Sequence, residues 1–370
     1  MSKKVIIALN ATWNLVNFRA NLIRAFINHG YEVVAVAPKD KYIEQLLALG
    51  CRFVDLPMNS KGKNPFMDIL LLFRFWSILR REKPAVFLGY TVKPNIYGSL
   101  AARSLGIPVI NNIAGLGAVF IKKGWLTALV RFLYGLALKK SKRIFFQNKD
   151  DLAHFVDVGV VKKDAVDLLP GSGVDLEKFF LAPYPENTRP RFLLVARMLW
   201  DKGVGEFVEA AKIIQARGLS ADFCLLGFLD AKNPTAISRA QMQKWVDDGS
   251  VQYLGSSDDV RSEIAVADCV VLPSYREGTP RSLLEAASMG RPIITTDAVG
   301  CREVVDDSMN GLLCRVKDPI DLADKIQMMI EMSPGQRRTL GERGRQKVER
   351  EFDEKIVIEK YLNAIERASR

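Results

Sequence analysis

Two rhythms of apolar and polar residues alternate along most of the chain. Short apolar runs bounded by glycine, proline or asparagine read as buried strands. In the first half these are Val5–Leu9, Glu32–Ala37, Cys51–Asp55, Ala85–Leu88, Pro108–Asn112 and Lys142–Gln147. Between them, Arg19–Asn28, Ile43–Leu49, Pro65–Arg81, Pro94–Ser104, Leu126–Lys139 and Lys149–Val156 carry helical spacing. Strand and helix in strict alternation predict an α/β, doubly wound parallel sheet. The alternation restarts with strand Arg191–Ala196, helix Val204–Ala216 and the apolar runs Ala221–Leu226, Val251–Leu254 and Asp268–Leu272. Between the halves, Ala182–Pro190 holds three prolines and little apolar pattern, and reads as a linker. The pattern therefore predicts two domains, residues 1–180 and 190–352, and a closing helix over 353–370.

The most informative stretch runs from Leu272 to Ala286. Pro273 and Ser274 break the strand, and Thr279 followed by Pro280 reads as a hydroxyl cap with proline at the first helical position. Glu277 then lies on the loop. Glu285 lies five residues past Pro280, about 7–8 Å along the helix axis. Gly278 and the free N–H groups of the first turn sit between them, an arrangement that attracts phosphate. Carboxylate, anion seat and carboxylate in this order suit a diphosphate flanked by two hydroxyl-bearing sugars. Spacing alone fits ordinary capping and a solvated face better.

Other strand ends offer further candidates. Arg197 and Lys202 share a strand-to-helix loop and are placed to converge on a diphosphate, although composition alone reads them as a solvated loop. The strand ends at Gly227 and at Leu254–Gly255 are candidates to approach a nucleobase. Asn10–Arg19 reads as a loop at the edge of the first strand, where open α/β sheets bind ligands; Asn14, Asn17 and Arg19 are its side-chain donors. A later loop, Asn111–Gly117, carries Gly115 and Gly117, which let a backbone approach a ligand closely. It resembles a dinucleotide fingerprint only loosely, lacks the third glycine and follows the wrong strand, so a dehydrogenase is not expected. His29 and His154 fall on predicted helices and read as structural.

The residues Leu272-Pro-Ser, Glu277-Gly-Thr-Pro, Leu284-Glu-Ala286 and the turn at Gly290 and Pro292 resemble the E-x7-E signature of retaining family-4 glycosyltransferases. Leu169–Phe179 is similar to that family's passage near the end of the first domain, with Ser172 where asparagine is usual. The resemblance covers nearly the whole chain, most strongly Arg191–Cys314. It implies a GT-B fold, two doubly wound Rossmann-like domains facing a cleft, with the closing helix packed back on the first. It implies that Arg197 and Lys202 hold the donor diphosphate with Gly278, Thr279 and Pro280. On the same ground Glu285 accepts hydrogen bonds from both ribose hydroxyls, and Glu277 contacts the transferred sugar. The loop after the first strand lacks the glycine pair common in the family. Residues 10–30 and 111–125 further resemble bacterial transferases that add N-acetylhexosamine to an undecaprenyl-diphosphate-linked sugar. A UDP-sugar donor and a polyprenyl-diphosphate-saccharide acceptor follow, with no other cofactor. No D-x-D or His/Cys ligand set appears, so no metal is expected.

Charge sharpens this expectation. The 370 residues carry a net charge of +11, and the excess is uneven. Residues 1–180 hold 26 Lys and Arg against 13 Asp and Glu, whereas 181–370 hold 27 against 29. No acidic residue occurs from Lys83 to Lys149. Without a nucleic-acid-binding signature, this basic half suits an anionic membrane surface or a diphosphate acceptor. Two stretches are candidates for membrane contact. Pro65–Arg81 reads rather as a core helix. Phe120–Arg143, with Lys122 and Lys123 among its seven bases, is the better interfacial candidate. No apolar run reaches membrane-spanning length, and five scattered cysteines read as reduced core residues. A cytoplasmic protein peripherally associated with the inner membrane is expected. Two other classes stay open: a non-hydrolysing sugar-nucleotide epimerase and a non-catalytic membrane-surface protein.

Overall fold

The computed structural model describes residues 3–58, 64–115, 125–229 and 233–369, without the side chains of 125–127. The chain divides into two compact units: Met1–Ser172 with Lys355–Arg370, and Gly173–Glu354.

In the first unit the parallel strands are β1 (Lys4–Ala8), β2 (Glu32–Ala37), β3 (Arg52–Asp55), β4 (Val86–Tyr90), β5 (Val109–Ile113), β6 (Arg143–Phe146) and β7 (Val166–Leu168). They are ordered β3-β2-β1-β4-β5-β6-β7. Strands β1, β2 and β4 are almost wholly buried, as continuous apolar runs in a sheet covered on both faces must be. Order reverses between β1 and β4, so the loops leaving these two strands diverge and open a crevice at the sheet's C-terminal edge. The final helix, Glu354–Ser369, buries Val357, Tyr361 and Ile365 in the same core as Ile7, Val33 and Leu88. Its Tyr361 hydroxyl accepts a hydrogen bond from Asn112 Nδ2 at 2.9 Å.

In the second unit the parallel strands are β8 (Arg191–Val195), β9 (Asp222–Leu226), β10 (Gln252–Tyr253), β11 (Cys269–Leu272), β12 (Ile293–Thr296) and β13 (Gly311–Cys314), ordered β10-β9-β8-β11-β12-β13. The reversal here falls between β8 and β11, which are paired neighbours. Two apolar clusters cover the faces of this sheet.

Three local expectations change. Asn10–Arg19 is not a loop: helix Thr12–Asn28 begins almost at once. Its start is capped from afar, because Asp40 accepts from the amides of Thr12 and Trp13 at 3.0 and 3.3 Å. Second, Gly311–Cys314, not among the runs read as strands, forms β13 at the edge of the second sheet. Third, Ala182–Pro190 is strapped to the second unit rather than free. Asn187 Nδ2 reaches Asp268 Oδ2 at 2.7 Å, the Tyr184 hydroxyl donates to the Asp268 carbonyl at 2.9 Å, and buried Arg291 donates to the Pro183 carbonyl. All five cysteines are buried, as their apolar settings predicted.

Candidate functional site

Two loops leave the switch point of the second sheet. One follows β8 and runs from Ala196 through a 3₁₀ turn, Trp200–Lys202, into helix Val204–Ala216. The other follows β11 and runs from Pro273 to helix Arg281–Ser288. Backbone contacts stitch them together. The Tyr275 amide donates to the Asp201 carbonyl at 3.0 Å, and Ser274 Oγ donates to the same carbonyl at 3.1 Å. Gly203 makes the approach possible. Its φ is +71°, and a Cβ there would lie 2.1 Å from the Pro273 carbonyl oxygen. A third segment closes from the other side. The Glu277 amide donates to the Val299 carbonyl at 2.9 Å, and a Cβ on Gly300 would lie 2.4 Å from the Glu277 carbonyl oxygen.

This scaffold brings Lys202 and Glu277 together. Lys202 Nζ donates to Glu277 Oε1 in an ion pair between two largely buried side chains. Glu285 follows on the helix, and Arg281 Nε donates to its Oε1 at 2.9 Å. Burial pushes the Glu285 carboxyl above its ordinary value, and the Arg281 charge draws it partly back. Arg197 lies one residue past Ala196 with its side chain exposed and, among the described residues, no carboxylate partner. Gly227 underlies that position: its φ is +149°, and a Cβ would lie 1.7 Å from the Ala196 carbonyl oxygen. Its amide donates to the Gly255 carbonyl at 2.7 Å, while the Leu254 amide pairs with Leu225 at 2.8 Å. The structure thus gathers Lys202 and Glu277, holds Glu285 on the adjoining helix and places Gly227 beneath Ala196.

The helix start differs in one detail. Pro280 occupies the N-cap with extended backbone, and the helix begins at Arg281. The cap position thus falls on Pro280, which has no side-chain cap bond, and not on Thr279 as expected from sequence. Gly278 and Thr279 remain on the loop leading into the helix.

In the first unit, Asn14, Asn17 and Arg19 lie on a helix, and each makes a local side-chain bond, Arg19 Nη1 donating to the Phe18 carbonyl at 2.8 Å. Asn14 Nδ2 donates to Asn10 Oδ1 at 3.3 Å and Asn17 Nδ2 to the Trp13 carbonyl at 3.0 Å. Arg19 is buried, its guanidinium 4.9 Å from the centre of the Tyr90 ring. The crevice at this switch point holds a cavity of about 280 Å³, lined among others by Asn10, Thr91, Lys93, Asn95, Asn112 and Gly115. The segment Thr91–Asn95, where β4 turns into a helix that begins at Val92, was not singled out from sequence. A non-glycine residue at φ +59°, Thr91, marks it, and no sequence pattern announces that. Gly117, Lys122 and Lys123 lie outside the described residues. Among the described residues no cluster of three or more His, Cys, Asp or Glu is placed to hold a metal.

The helix Pro65–Glu82, expected in the core, buries Leu71, Phe75 and Leu79 but leaves Phe66, Met67, Ile69, Leu70 and Phe73 exposed. It is apolar on both faces, and the sheet covers only one. Among the described residues no helix is long and apolar enough to cross a membrane.

Known proteins place this geometry in context. Residues 16–171 match the family model "Glycosyl transferase 4-like domain", and residues 189–332 match "Glycosyl transferases group 1". The chain is 30% identical to the N,N'-diacetylbacillosaminyl-diphospho-undecaprenol alpha-1,3-N-acetylgalactosaminyltransferase of Campylobacter jejuni, over 96% of each chain. It belongs to the family-4, group 1 glycosyltransferases. A second relative of this glycosyltransferase is the UDP-Gal:alpha-D-GlcNAc-diphosphoundecaprenol alpha-1,3-galactosyltransferase of Escherichia coli, 24% identical over 79% of this chain and 78% of that one. Anabaena HepE, solved with UDP and glucose, superposes with a TM-score of 0.76 at 14% identity over 98% of this chain and 99% of that one. The fold is GT-B. Glycosyl transfer thus replaces the epimerase and surface-protein readings.

Proposed function

We propose that this glycosyltransferase moves an N-acetylhexosamine from its UDP-linked donor, with retention, to a saccharide carried on a polyprenyl diphosphate. The observation that carries the reading is the Lys202–Glu277 pair at the switch point of the second sheet, beside a helix start and Glu285. The names of the Campylobacter and Escherichia relatives supply the donor and acceptor classes.

In this reading Glu285 accepts from both ribose hydroxyls, since an ionised carboxylate has the lone pairs for two donors. Arg197 and Lys202, with the backbone at Gly278–Pro280, hold the diphosphate and offset the charge that develops as UDP leaves. Gly227 and Leu254 border the nucleobase. Glu277 contacts the transferred sugar and stabilises positive charge at its anomeric carbon. The acceptor hydroxyl oxygen bonds to that carbon on the face from which the phosphate oxygen departs. The departing phosphate takes the hydroxyl proton, so the products are the extended lipid-linked saccharide and UDP, and no enzyme nucleophile is needed. The cavity at Thr91–Asn95, with Asn10 and Gly115, is proposed to hold the acceptor saccharide; Asn14, Asn17 and Arg19 support its wall. Gly117, Lys122 and Lys123 remain acceptor-side candidates from sequence. The domains at work are 1–180, with 353–370 joined to it, and 190–352. Association with the cytoplasmic face of the inner membrane follows from a lipid-linked acceptor.

The test is release of UDP from a panel of UDP- and GDP-sugars, with and without an undecaprenyl-diphosphate-linked saccharide. Release that depends on the lipid and is selective for one UDP-N-acetylhexosamine is expected. Interconversion of the sugar nucleotide without acceptor would reject the reading.

A further inference from the structure

We infer that the N-terminal half of the helix Pro65–Glu82 is the element by which the first unit lies on an anionic bilayer. The inference rests on the lipid-linked acceptor of the proposed function. Phe66, Ile69, Leu70 and Phe73 fall at i, i+3, i+4 and i+7, so they form one stripe. That stripe is open to solvent: Phe66 is 83% exposed, Ile69 53% and Phe73 63%. Two exposed phenylalanines on one turn-spaced stripe are costly in water and gain by entering an interface.

Three observations select a bilayer as the partner. First, the apolar exposure is confined to one end. Beyond Phe73 the outer positions are Ser77, Arg80 and Arg81, and the apolar residues Phe75, Ile78 and Leu79 turn into the core. Second, the stripe itself carries no acidic residue, because Asp68 lies two positions past Phe66, on the inner side of the helix. Lys93 Nζ binds Asp68 Oδ1 at 2.6 Å and the Tyr97 hydroxyl donates to Asp68 Oδ2 at 2.9 Å. A surface in a chain half carrying twice as many bases as acids then presents no free carboxylate from this stripe to anionic headgroups. Third, the bonds from Lys93 and Tyr97 to Asp68 fasten this helix to the helical segment after β4, whose start at Thr91–Asn95 lines the cavity. Val92 in that segment is exposed as well. A helix lying in the interface would thereby hold the cavity beside the headgroups, where the diphosphate of a membrane-bound acceptor emerges.

Vesicle co-sedimentation tests this without relying on catalysis. Full-length protein is mixed with vesicles of phosphatidylglycerol and phosphatidylethanolamine, and the double variant Phe66→Ser/Phe73→Ser is compared with Ile320→Ser. Ile320 is an equally open apolar residue in the second unit, 60% exposed. The double variant is expected to partition about 10-fold or more weakly, from the loss of two inserted rings. Ile320→Ser should bind as wild type, and all three should melt together. Failure of wild type to bind, equal binding by the double variant, or equal loss in Ile320→Ser would overturn the inference. So would a wild-type dimer that the double variant converts to monomer without a change in vesicle binding, since a second copy would then cover the stripe. Donor turnover measured on the same samples separates the outcomes: vesicle binding without transfer removes the proposed function but leaves the docking surface.

Discussion

Lys202 Nζ donates to Glu277 Oε1 across two loops that are 75 residues apart in sequence. Each group is the other's charge partner. In the proposed site a donor diphosphate competes with Glu277 for the lysine, and Glu277 turns toward the sugar. Glu277→Gln removes the competitor but also the carboxylate proposed to face the anomeric carbon. Titration calorimetry should show UDP binding as tight as in wild type or tighter. Turnover should fall by about 10²-fold or more, in kcat rather than KM. Wild-type kcat in the variant would remove Glu277 from the chemistry.

Glu285 is held at odds with its surroundings. Its folded value lies above the ordinary 4.5 because burial disfavours the charge, with Arg281 offsetting part of the cost. The sign follows directly. The contribution of the protonated form to stability is complete below the unfolded value and is lost as pH rises through the folded one. At neutral pH the ionised carboxylate is a net burden on the fold. Glu285→Gln should thus melt no lower than wild type at pH 7–8 and match it near pH 4. It should also bind UDP more weakly, and wild-type UDP affinity should decline as pH falls through the raised value. A clear loss of thermal stability at pH 7.5 would refute this.

Gly203 and Gly218 share a left-handed backbone, φ +71° and +74°, but differ in surroundings. A Cβ on Gly203 meets the Pro273 carbonyl; on Gly218 it meets nothing within 4 Å. Gly218→Ala should cost about 1 kcal/mol, the backbone penalty alone. Gly203→Ala should cost about 3 kcal/mol or more and pull the Lys202 loop off the Pro273 loop, lowering activity beyond the change in stability. Urea denaturation of both variants decides the comparison; equal losses would mean the two loops do not depend on that contact.

Much of this was legible in the chain. Buried parallel strands are continuous apolar runs: β1–β6 and β8–β11 stand out within a residue or two, whereas β7, β12 and β13 were not read as strands. The E-x7-E stretch showed its strand, loop and helix because proline and glycine punctuate it. Contacts distant in sequence were not legible. Asp40 caps a helix 28 residues earlier, so Asn10–Arg19 looked like a loop. Thr91–Asn95 carries no unusual composition, and only strand order reveals it as the helix start at the second switch point. The exposed stripe on Pro65–Glu82 was hidden by an excess of apolar residues, since pattern shows that a helix is apolar all round but not which faces find cover.

Arg197 offers the sharpest single test of the donor site, because its side chain is exposed and, among the described residues, pairs with no carboxylate. Replacing it should leave stability within about 0.5 kcal/mol of wild type. The measurement is UDP affinity by titration calorimetry for wild type, Arg197→Ala and Glu285→Gln at pH 7.5. A donor site built on these residues requires affinity to fall about 10-fold or more in each variant while the melting temperature of Arg197→Ala holds. Wild-type UDP affinity in both variants would place the nucleotide elsewhere on the chain and contradict the site.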